Sequence, residues 1–269
     1  MSMEDDALAE AYARGLAAER GGDASAAVAA FREALALDPA DHGGVALRLA
    51  ALGAAPAPEK APPAYVATLF DQHAEVFDGM LVDQLGYHAP MRIRERFQAL
   101  GLGPFGRLLD LGCGTGLVGE SLEDMAAHRT GVDLAEGMLE IADEKEVYDA
   151  LFVGDAEGFL AAAEDEVWDL ITAADVLPYL GETDALFAAV ARRLAPGGLF
   201  VFSTETAPDS AFDGRSWLVL PQRRYAHAFT AVEGGLAAAG LAVLEAEPIV
   251  VRYEEGRPSP GHLVIARKG

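Results

Sequence analysis

The segment Leu108-Leu109-Asp110-Leu111-Gly112-Cys113-Gly114-Thr115-Gly116 puts a carboxylate at the end of an apolar stretch, with a glycine turn directly after it that opens a helix. Glycines in such a turn let backbone N–H groups approach a ligand closely. The overlapping run Gly114-Thr115-Gly116-Leu117-Val118-Gly119 matches G-x-G-x-x-G, so the turn by itself leaves a nicotinamide-dependent oxidoreductase open. Asp110 separates the two chemistries, because a carboxylate at the mouth of the turn repels a pyrophosphate and attracts an ammonium or sulfonium group. Asp133 closes Thr130-Gly131-Val132-Asp133, and Asp155-Ala156 follows Gly154. A carboxylate at the first position suits a ribose diol. At the second, a side-chain acceptor followed by a free backbone N–H suits the amine and ring nitrogen of adenine. Met138 adds an apolar wall beside that ring or simply packs in the core.

These carboxylates need a sheet to bring them together. From Gly106 onward, short apolar stretches at 107–111, 130–134, 149–154, 168–173 and 198–203 alternate with helical ones. That alternation predicts a parallel sheet covered on both faces, an α/β Rossmann-like doubly wound sandwich. The carboxyl ends of its strands would line one crevice, where Asp110, Asp133 and Asp155 meet. Near the end the alternation stops. Stretches 241–252 and 262–267 are both strand-like, and Glu254-Glu255-Gly256-Arg257-Pro258-Ser259-Pro260-Gly261 between them carries no helical pattern, so a C-terminal antiparallel hairpin is expected.

Residues 7–53 are Ala-rich with helical spacing, as in Val28, Phe31 and Leu35, and predict two or three short helices. Gly21-Gly22-Asp23 reads as a turn, and Asp38-Pro39 ends the second helix. Residues 54–64 hold Pro56, Pro58, Pro62 and Pro63 among alanines, which favours extended backbone over helix. The expected division is a helical hairpin at 1–53, a Pro/Ala linker at 54–64 and one α/β domain at 65–269.

Composition narrows the partners. Of 269 residues 51% are apolar and 23% charged, which suits a folded chain and argues against extensive disorder. Lys and Arg number 20 against 43 Asp and Glu, and the resulting formal charge of −23 argues against nucleic acid as a partner. Arg223-Arg224 is too short a basic patch to reverse it. The start, Met1-Ser2-Met3-Glu4-Asp5-Asp6, is acidic where an export signal is basic. No apolar run reaches the roughly 18 residues that span a bilayer, so no membrane partner is expected. Cys113, the single cysteine, forms neither an internal disulfide nor a thiolate cluster, and a cytoplasmic setting is the default. The 6 histidines show no paired metal-ligand spacing, and no metal is assigned.

Five segments in order make the stretch 65–269 resemble a class I S-adenosylmethionine-dependent methyltransferase. They are Leu109-Asp110-Leu111-Gly112-Cys113-Gly114-Thr115-Gly116, Gly131-Val132-Asp133-Leu134 with Met138-Leu139, Gly154-Asp155-Ala156, Trp168-Asp169-Leu170-Ile171 with Ala174-Asp175-Val176-Leu177, and Leu194-Ala195-Pro196-Gly197-Gly198. The resemblance implies that Asp110 with Gly112, Cys113, Gly114 and Gly116 holds the methionine part of S-adenosylmethionine. It implies that Asp133 holds the ribose and Asp155-Ala156 the adenine, with Leu134 and Met138 beside the adenosyl group, and that backbone near Ala174 meets the cofactor amine. Tyr12 to Asp41 is similar to one tetratricopeptide (TPR) repeat at Gly15, Ala27, Phe31, Ala34 and Pro39, whereas Ala11, Arg14 and Ala18 occupy its large positions. One such hairpin cannot bury both faces and must lean on the rest of the chain or on a partner. With Tyr65-Val66-Ala67-Thr68-Leu69-Phe70-Asp71-Gln72-His73, Leu85-Gly86-Tyr87 and Arg224-Tyr225-Ala226-His227, the chain resembles methyltransferases that carry such a repeat.

Methyl transfer asks chiefly for alignment and exclusion of water, and a base adds about 10²–10⁴-fold where the acceptor is a hydroxyl or acidic carbon. His227, with Tyr225 beside it, is the candidate base because it follows the fifth strand where an insertion would cover the pocket; the plainer reading is that both pack the next helix. His73, Tyr65, Phe70 and Phe77 are candidates for a lid or for packing, and Asp175 for the cofactor site or a helix cap. Arg223-Arg224 would receive an anionic acceptor or lie solvated. The leading expectation is a methyltransferase acting on a small-molecule or protein acceptor. The alternative is a non-catalytic adenosyl-cofactor-binding scaffold that holds a protein partner through residues 7–53, and a nicotinamide enzyme stands third because no hydride-transfer apparatus is evident.

Overall fold

The computed structural model describes residues 3–254 and 256–269, and of these the side chains of all but residues 3, 4 and 83. The first two residues of the acidic start and Glu255 of the hairpin connection lie outside the described residues.

Three helices open the chain: α1 (Met3–Arg20), α2 (Ala24–Leu37) and α3 (Val45–Ala51). Asp23 caps α2 by accepting from Ala26 N–H at 3.0 Å, and α2 stops at Leu37, before the Asp38-Pro39 pair that disfavours helix. Asp41, buried and at φ +58°, caps α3 by accepting from Val45 and Ala46 N–H at 2.6 and 2.9 Å. α1 and α2 close around Phe31, Ala27 and Ala34. Gly15 is required there, since a Cβ would stand 2.4 Å from the Phe31 ring.

Residues 54–62 form no helix, as their prolines dictate, but they are not a free spacer. Pro58 O accepts from Tyr225 Oη at 2.8 Å, Glu59 O from Gly181 and Glu182 N–H at 2.7 and 2.9 Å, and Ala61 N–H donates to Tyr179 O at 2.8 Å. The segment is thus strapped along the α/β layer. It leads into α4 (Pro63–Asp71), which Pro63 opens, then a 3₁₀ turn at Ala74–Val76, a π-helical turn at Gly79–Gln84 and α5 (Ala89–Leu100).

The α/β layer follows as β1 (Phe105–Leu111), α6 (Leu117–Ser121), β2 (Ala126–Asp133), α7 (Glu136–Glu144), β3 (Ala150–Val153), α8 (Ala156–Ala162) and β4 (Trp168–Ala173). After it come α9 (Asp184–Arg193), β5 (Leu194–Glu205), α10 (Asp209–Phe212), the two-stranded ribbon β6 (Trp217–Val219) and β7 (Tyr225–His227), α11 (Phe229–Ala238), β8 (Leu241–Glu254) and β9 (Arg257–Lys268). The main sheet has the order β3-β2-β1-β4-β5-β9-β8, with β1 to β5 parallel and β9 antiparallel to β5. The order reverses between β1 and β4, where doubly wound sheets open a ligand crevice. Successive residues feed opposite faces: Leu109 and Phe200 pack with Val132 and Phe187, Leu108 and Val201 with Ile93 and Phe97. Burying each of these side chains stabilises by roughly 1.5–3 kcal/mol.

The C-terminal hairpin is antiparallel as the pattern predicts, but its strands run through most of the segment read as a connection, down to the pair Glu254↔Arg257. Prolines are tolerated there because β5 stops pairing at Glu205↔Gly261, so Pro258 and Pro260 lie where β9 has a strand on one side alone.

Candidate functional site

At the carboxyl ends of β1 to β4 lies a cleft of about 1110 Å³, part of it open to solvent. Its floor is the turn Gly112–Thr115; Asp133 and Leu134 lie at the end of β2, and Asp155 with Ala156 and Ala174 with Asp175 follow the ends of β3 and β4. Its roof is Val66 and Phe70 of α4 with Phe77, Leu81 and Tyr87. Gly112, Gly114 and Gly116 all have positive φ (64°, 53° and 93°), which favours glycine at each. At Gly114 a Cβ would meet nothing nearer than Phe77 at 3.9 Å, so the turn leaves room between floor and roof for a bound group.

Asp133 ties two parts of this floor together, accepting from Gly114 N–H and Ala135 N–H at 2.9 Å each. A carboxylate offers about four acceptor sites, so capacity remains toward the cleft. Burial raises the Asp133 pKa, and the backbone donors oppose that rise. Asp155 caps α8 through Gly158 N–H at 3.1 Å, and its neighbour Glu157 pairs with Lys60 of the strap at 3.1 Å.

Asp110 stands behind the floor and not in the lining. It is 1% exposed, with Oδ2 accepting from Tyr148 Oη at 2.6 Å and Oδ1 from Thr172 Oγ1 at 2.7 Å. Burial pushes its pKa up to about 7 against the pull of those two hydroxyls. Gly116 and Met138 are likewise outside the lining. A Cβ on Gly116 would strike Val147 at 2.8 Å, and Met138 packs with Ala74 and Ala135 beneath the roof.

The roof is fastened at two places. Asp71 accepts from Gly137 N–H at the start of α7 (2.8 Å), and Asp78 accepts from the Thr115 hydroxyl of the glycine turn while pairing with Lys145 at 2.6 Å. Phe70 sits edge-on to both Phe77 and Tyr179, with centroids 5.7 and 5.4 Å apart. Tyr65 packs instead on Gly44, and His73, in the turn after α4, bonds back through Nδ1 to Leu69 O at 2.7 Å.

Beyond the glycine turn, past β4, is a knot of buried charge. Arg252 Nη2 donates to Asp175 Oδ1 at 2.5 Å and to Glu205 Oε1 at 2.8 Å, and Arg224 Nε also reaches Glu205 at 2.5 Å. Burial raises the Glu205 pKa while the arginines oppose it. Tyr87 and Tyr179 flank the knot, and burial drives both phenols up.

Of the expected cofactor residues, Gly112, Cys113 and Gly114 of the glycine turn line the cleft. Asp133, Leu134, Asp155, Ala156 and Ala174 line it too. Cys113 is buried in the turn, with its thiol pKa pushed up by burial. Asp110 supports the turn from behind. Tyr225 and His227 are not brought into the cleft: they belong to β7, within the insertion after β5, where Tyr225 holds Pro58 O and His227 Nε2 bonds Leu180 O at 2.8 Å. His227 is 3% exposed and burial lowers its pKa to about 4, so its imidazole is neutral and walled off from the lining. Arg224 is bound into the charge knot and is not a free anion receiver. Sequence reasoning missed Tyr148, Asp78 and Lys145, for which no local signal exists. Arg252 did carry one, a lone charge in the apolar run Ile249-Val250-Val251-Arg252.

A family model described as a methyltransferase domain matches residues 109–202, the stretch from the end of β1 through most of β5. The chain is 28% identical over 165 residues to a malonyl-[acyl-carrier protein] O-methyltransferase of Serratia marcescens, covering 61% of this chain and 62% of that protein. It is 28% identical over 185 residues to a ubiquinone biosynthesis O-methyltransferase of Bordetella avium, covering 60% of this chain and 75% of that one. The chain thus spans less than two thirds of the Serratia relative. Among solved structures, the N-methyltransferase NodS of Bradyrhizobium japonicum in complex with S-adenosyl-L-homocysteine superposes with a TM-score of 0.57 at 18% identity, over 76% of this chain and 98% of that one. The fold is therefore the Rossmann-like one of class I S-adenosylmethionine-dependent methyltransferases.

Proposed function

We propose that this chain, a carrier of a methyltransferase domain on the class I S-adenosylmethionine-dependent fold, is a working methyltransferase that binds S-adenosylmethionine in the cleft at the ends of β1 to β4. The observation that carries this reading is the gathering of the glycine turn, Asp133 and Asp155-Ala156 under one fastened aromatic roof. In this reading Gly112, Cys113 and Gly114 take the methionine part, Asp133 the ribose diol, and Asp155 with Ala156 N–H the adenine, with Leu134 as an apolar wall. Asp110 acts through Tyr148 and Thr172 to hold the turn, and its partial charge behind the floor favours a cation in front of it. Ala174 lies where backbone would meet the cofactor amine.

Bound there, S-adenosylmethionine supplies a methyl group on a positively charged sulfur. The chain's own share is to align the acceptor with that group and to exclude water, which the Phe70–Phe77 roof does. The names of the Serratia and Bordetella relatives support oxygen as the accepting atom. The helices at 3–51 enter as a buttress for the strap, since Leu47 of α3 packs with Val66 and Tyr225 against the roof. Their likeness to a tetratricopeptide repeat supports a partner-binding surface on the outer face. A cytoplasmic setting belongs to the same reading.

Incubation of the protein with methyl-tritiated S-adenosylmethionine and a fractionated cell extract tests it. Label should move into an acceptor fraction with formation of S-adenosylhomocysteine, and Asp133→Ala should abolish the transfer. Absence of any S-adenosylhomocysteine formation across small-molecule and protein fractions would contradict it.

A further inference from the structure

We infer that Asp175 is the carboxylate that meets the methyl acceptor, and that the acceptor is an apolar small molecule presenting a hydroxyl or an amine, not a carboxylate. This rests on the functional reading above. In that reading adenine lies at the end of β3, ribose at β2 and the methionine part at β1, so the cofactor runs across the strand ends in the order of the sheet. The next strand end in that direction is β4, one strand spacing of about 4.8 Å further on. Asp175 is the second residue beyond it, and it lines the same cleft.

Asp175 is held there by design of the surrounding chain. Its φ of +63° lies in the left-handed region that a residue with a side chain rarely adopts, and such a conformation persists where neighbours enforce it. They do: Asp175 N–H donates to Ser203 Oγ at 2.8 Å, and Arg252 grips one carboxylate oxygen, Oδ1. Among the described residues, Oδ2 has no hydrogen-bond partner. The cleft that Asp175 lines has apolar and phenolic walls as well, among them Leu81, Tyr87, Pro90, Val176 and Tyr179. A surface-exposed cap would not need this support.

Charge decides what can enter. Among the described residues of the lining, Lys60 is the one cation, against the carboxylates Asp133, Asp155, Glu157 and Asp175, and Lys60 is already paired with Glu157 at the far, adenine end. Arg252 and Arg224 lie behind the wall and are matched by Asp175, Glu205 and Glu254. An anionic acceptor meets no free cation and one facing carboxylate, a repulsion that grows as water is excluded. A hydroxyl or ammonium meets a hydrogen-bond acceptor instead. A hydroxyl gives its proton to Asp175 as its oxygen bonds to the methyl carbon, and the carbon–sulfur bond breaks with its electron pair left on sulfur. An ammonium gives its proton to Asp175 first, and the nitrogen then attacks in the same way.

Three probes of one shape and different charge test this: benzylamine, benzyl alcohol and benzoate, titrated by calorimetry into protein saturated with S-adenosylhomocysteine. Benzylamine and benzyl alcohol should bind at least tenfold more tightly than benzoate. Asp175→Asn should weaken benzylamine by about 10- to 100-fold, the worth of a hydrogen bond to a charged group, and leave S-adenosylhomocysteine affinity within about twofold. Asp175→Glu, which keeps the charge if the Asn variant fails to fold, should retain the preference for benzylamine over benzoate. Benzoate binding as well as benzylamine, no probe binding at all, or an Asp175→Asn protein with unchanged preference overturns the inference while bound S-adenosylhomocysteine leaves the cofactor reading standing. Failure of the unaltered protein to bind S-adenosylhomocysteine overturns both.

Discussion

Tyr148 Oη donates a 2.6 Å hydrogen bond to Asp110 Oδ2, across 38 positions of sequence, and so joins the end of β1 to the segment between α7 and β3. With Thr172 on the other oxygen, the carboxylate that opens the glycine turn is held wholly by protein. Tyr148 Oη also accepts from Gly119 N–H at 3.2 Å in α6, so one phenol braces both the carboxylate and the helix that the turn opens.

Asp110 should leave a signature in the pH dependence of stability. Its pKa in the folded chain, about 7, lies above its ordinary 3.8, so between those values the native state holds a proton that the unfolded chain has released. Stability from this group is complete below pH 3.8 and is lost as pH rises through about 7. Asp110→Asn removes that loss. Urea unfolding of both proteins across this range should show the difference in stability shifting by a few kcal/mol, at about 1.4 kcal/mol per pKa unit, in favour of the variant as pH rises. Parallel pH curves would contradict the assignment.

His227 should behave in the opposite sense. Its folded pKa, about 4, lies below the ordinary 6.5, so its contribution is complete above 6.5 and lost as pH falls through 4. His227→Gln should flatten the acid side of the stability curve over that window while leaving S-adenosylhomocysteine affinity unchanged. A large loss of affinity would put the imidazole back in the site.

The Asp78 contact with Thr115 and Lys145 fastens the roof to the floor, so its removal should speed release of a bound cofactor. Asp78→Ala should raise the dissociation rate of S-adenosylhomocysteine about 10- to 100-fold, the scale of one charge-assisted hydrogen bond, as measured by surface plasmon resonance. An unchanged rate would mean that the roof opens elsewhere.

Asp133 and Met138 should part company. Asp133→Ala leaves Gly114 and Ala135 N–H without their partner and removes the proposed ribose acceptor, and calorimetry should read at least about a tenfold loss of S-adenosylhomocysteine affinity. Met138→Leu conserves core volume and lies outside the lining, so affinity should hold within about twofold. Equal effects would contradict the separation of site from support.

The order of strands and helices was legible because each β–turn–α unit carries its own periodicity and its own strand-end residue, as in Val132-Asp133 and Gly154-Asp155. The hairpin was legible too, though not its length. Pairing of β8 with β9 extends through Pro258 and Pro260 because β5 ends first, a fact of three strands together and not of the local run. For Asp110 the residue was readable but not its surroundings: charge alone put it at the mouth of the turn, whereas Tyr148 and Thr172, both distant in sequence, draw it behind the floor. His227 misled because nearness to the end of β5 in sequence does not place a side chain in the crevice. The ribbon of β6 and β7 carries it to Leu180 O instead, and the Pro-rich segment expected as a linker is strapped beside it through Glu59 O and Ala61 N–H.

The most direct test of a sulfonium-cofactor cleft is a calorimetric titration of the full chain with S-adenosylmethionine, S-adenosylhomocysteine and NAD in parallel. The first two should bind with a single site per chain and NAD should give no heat of binding, because the glycine turn has Asp110 behind it and Asp133 beside it. Saturable binding of NAD, or none of the three, would contradict that cleft.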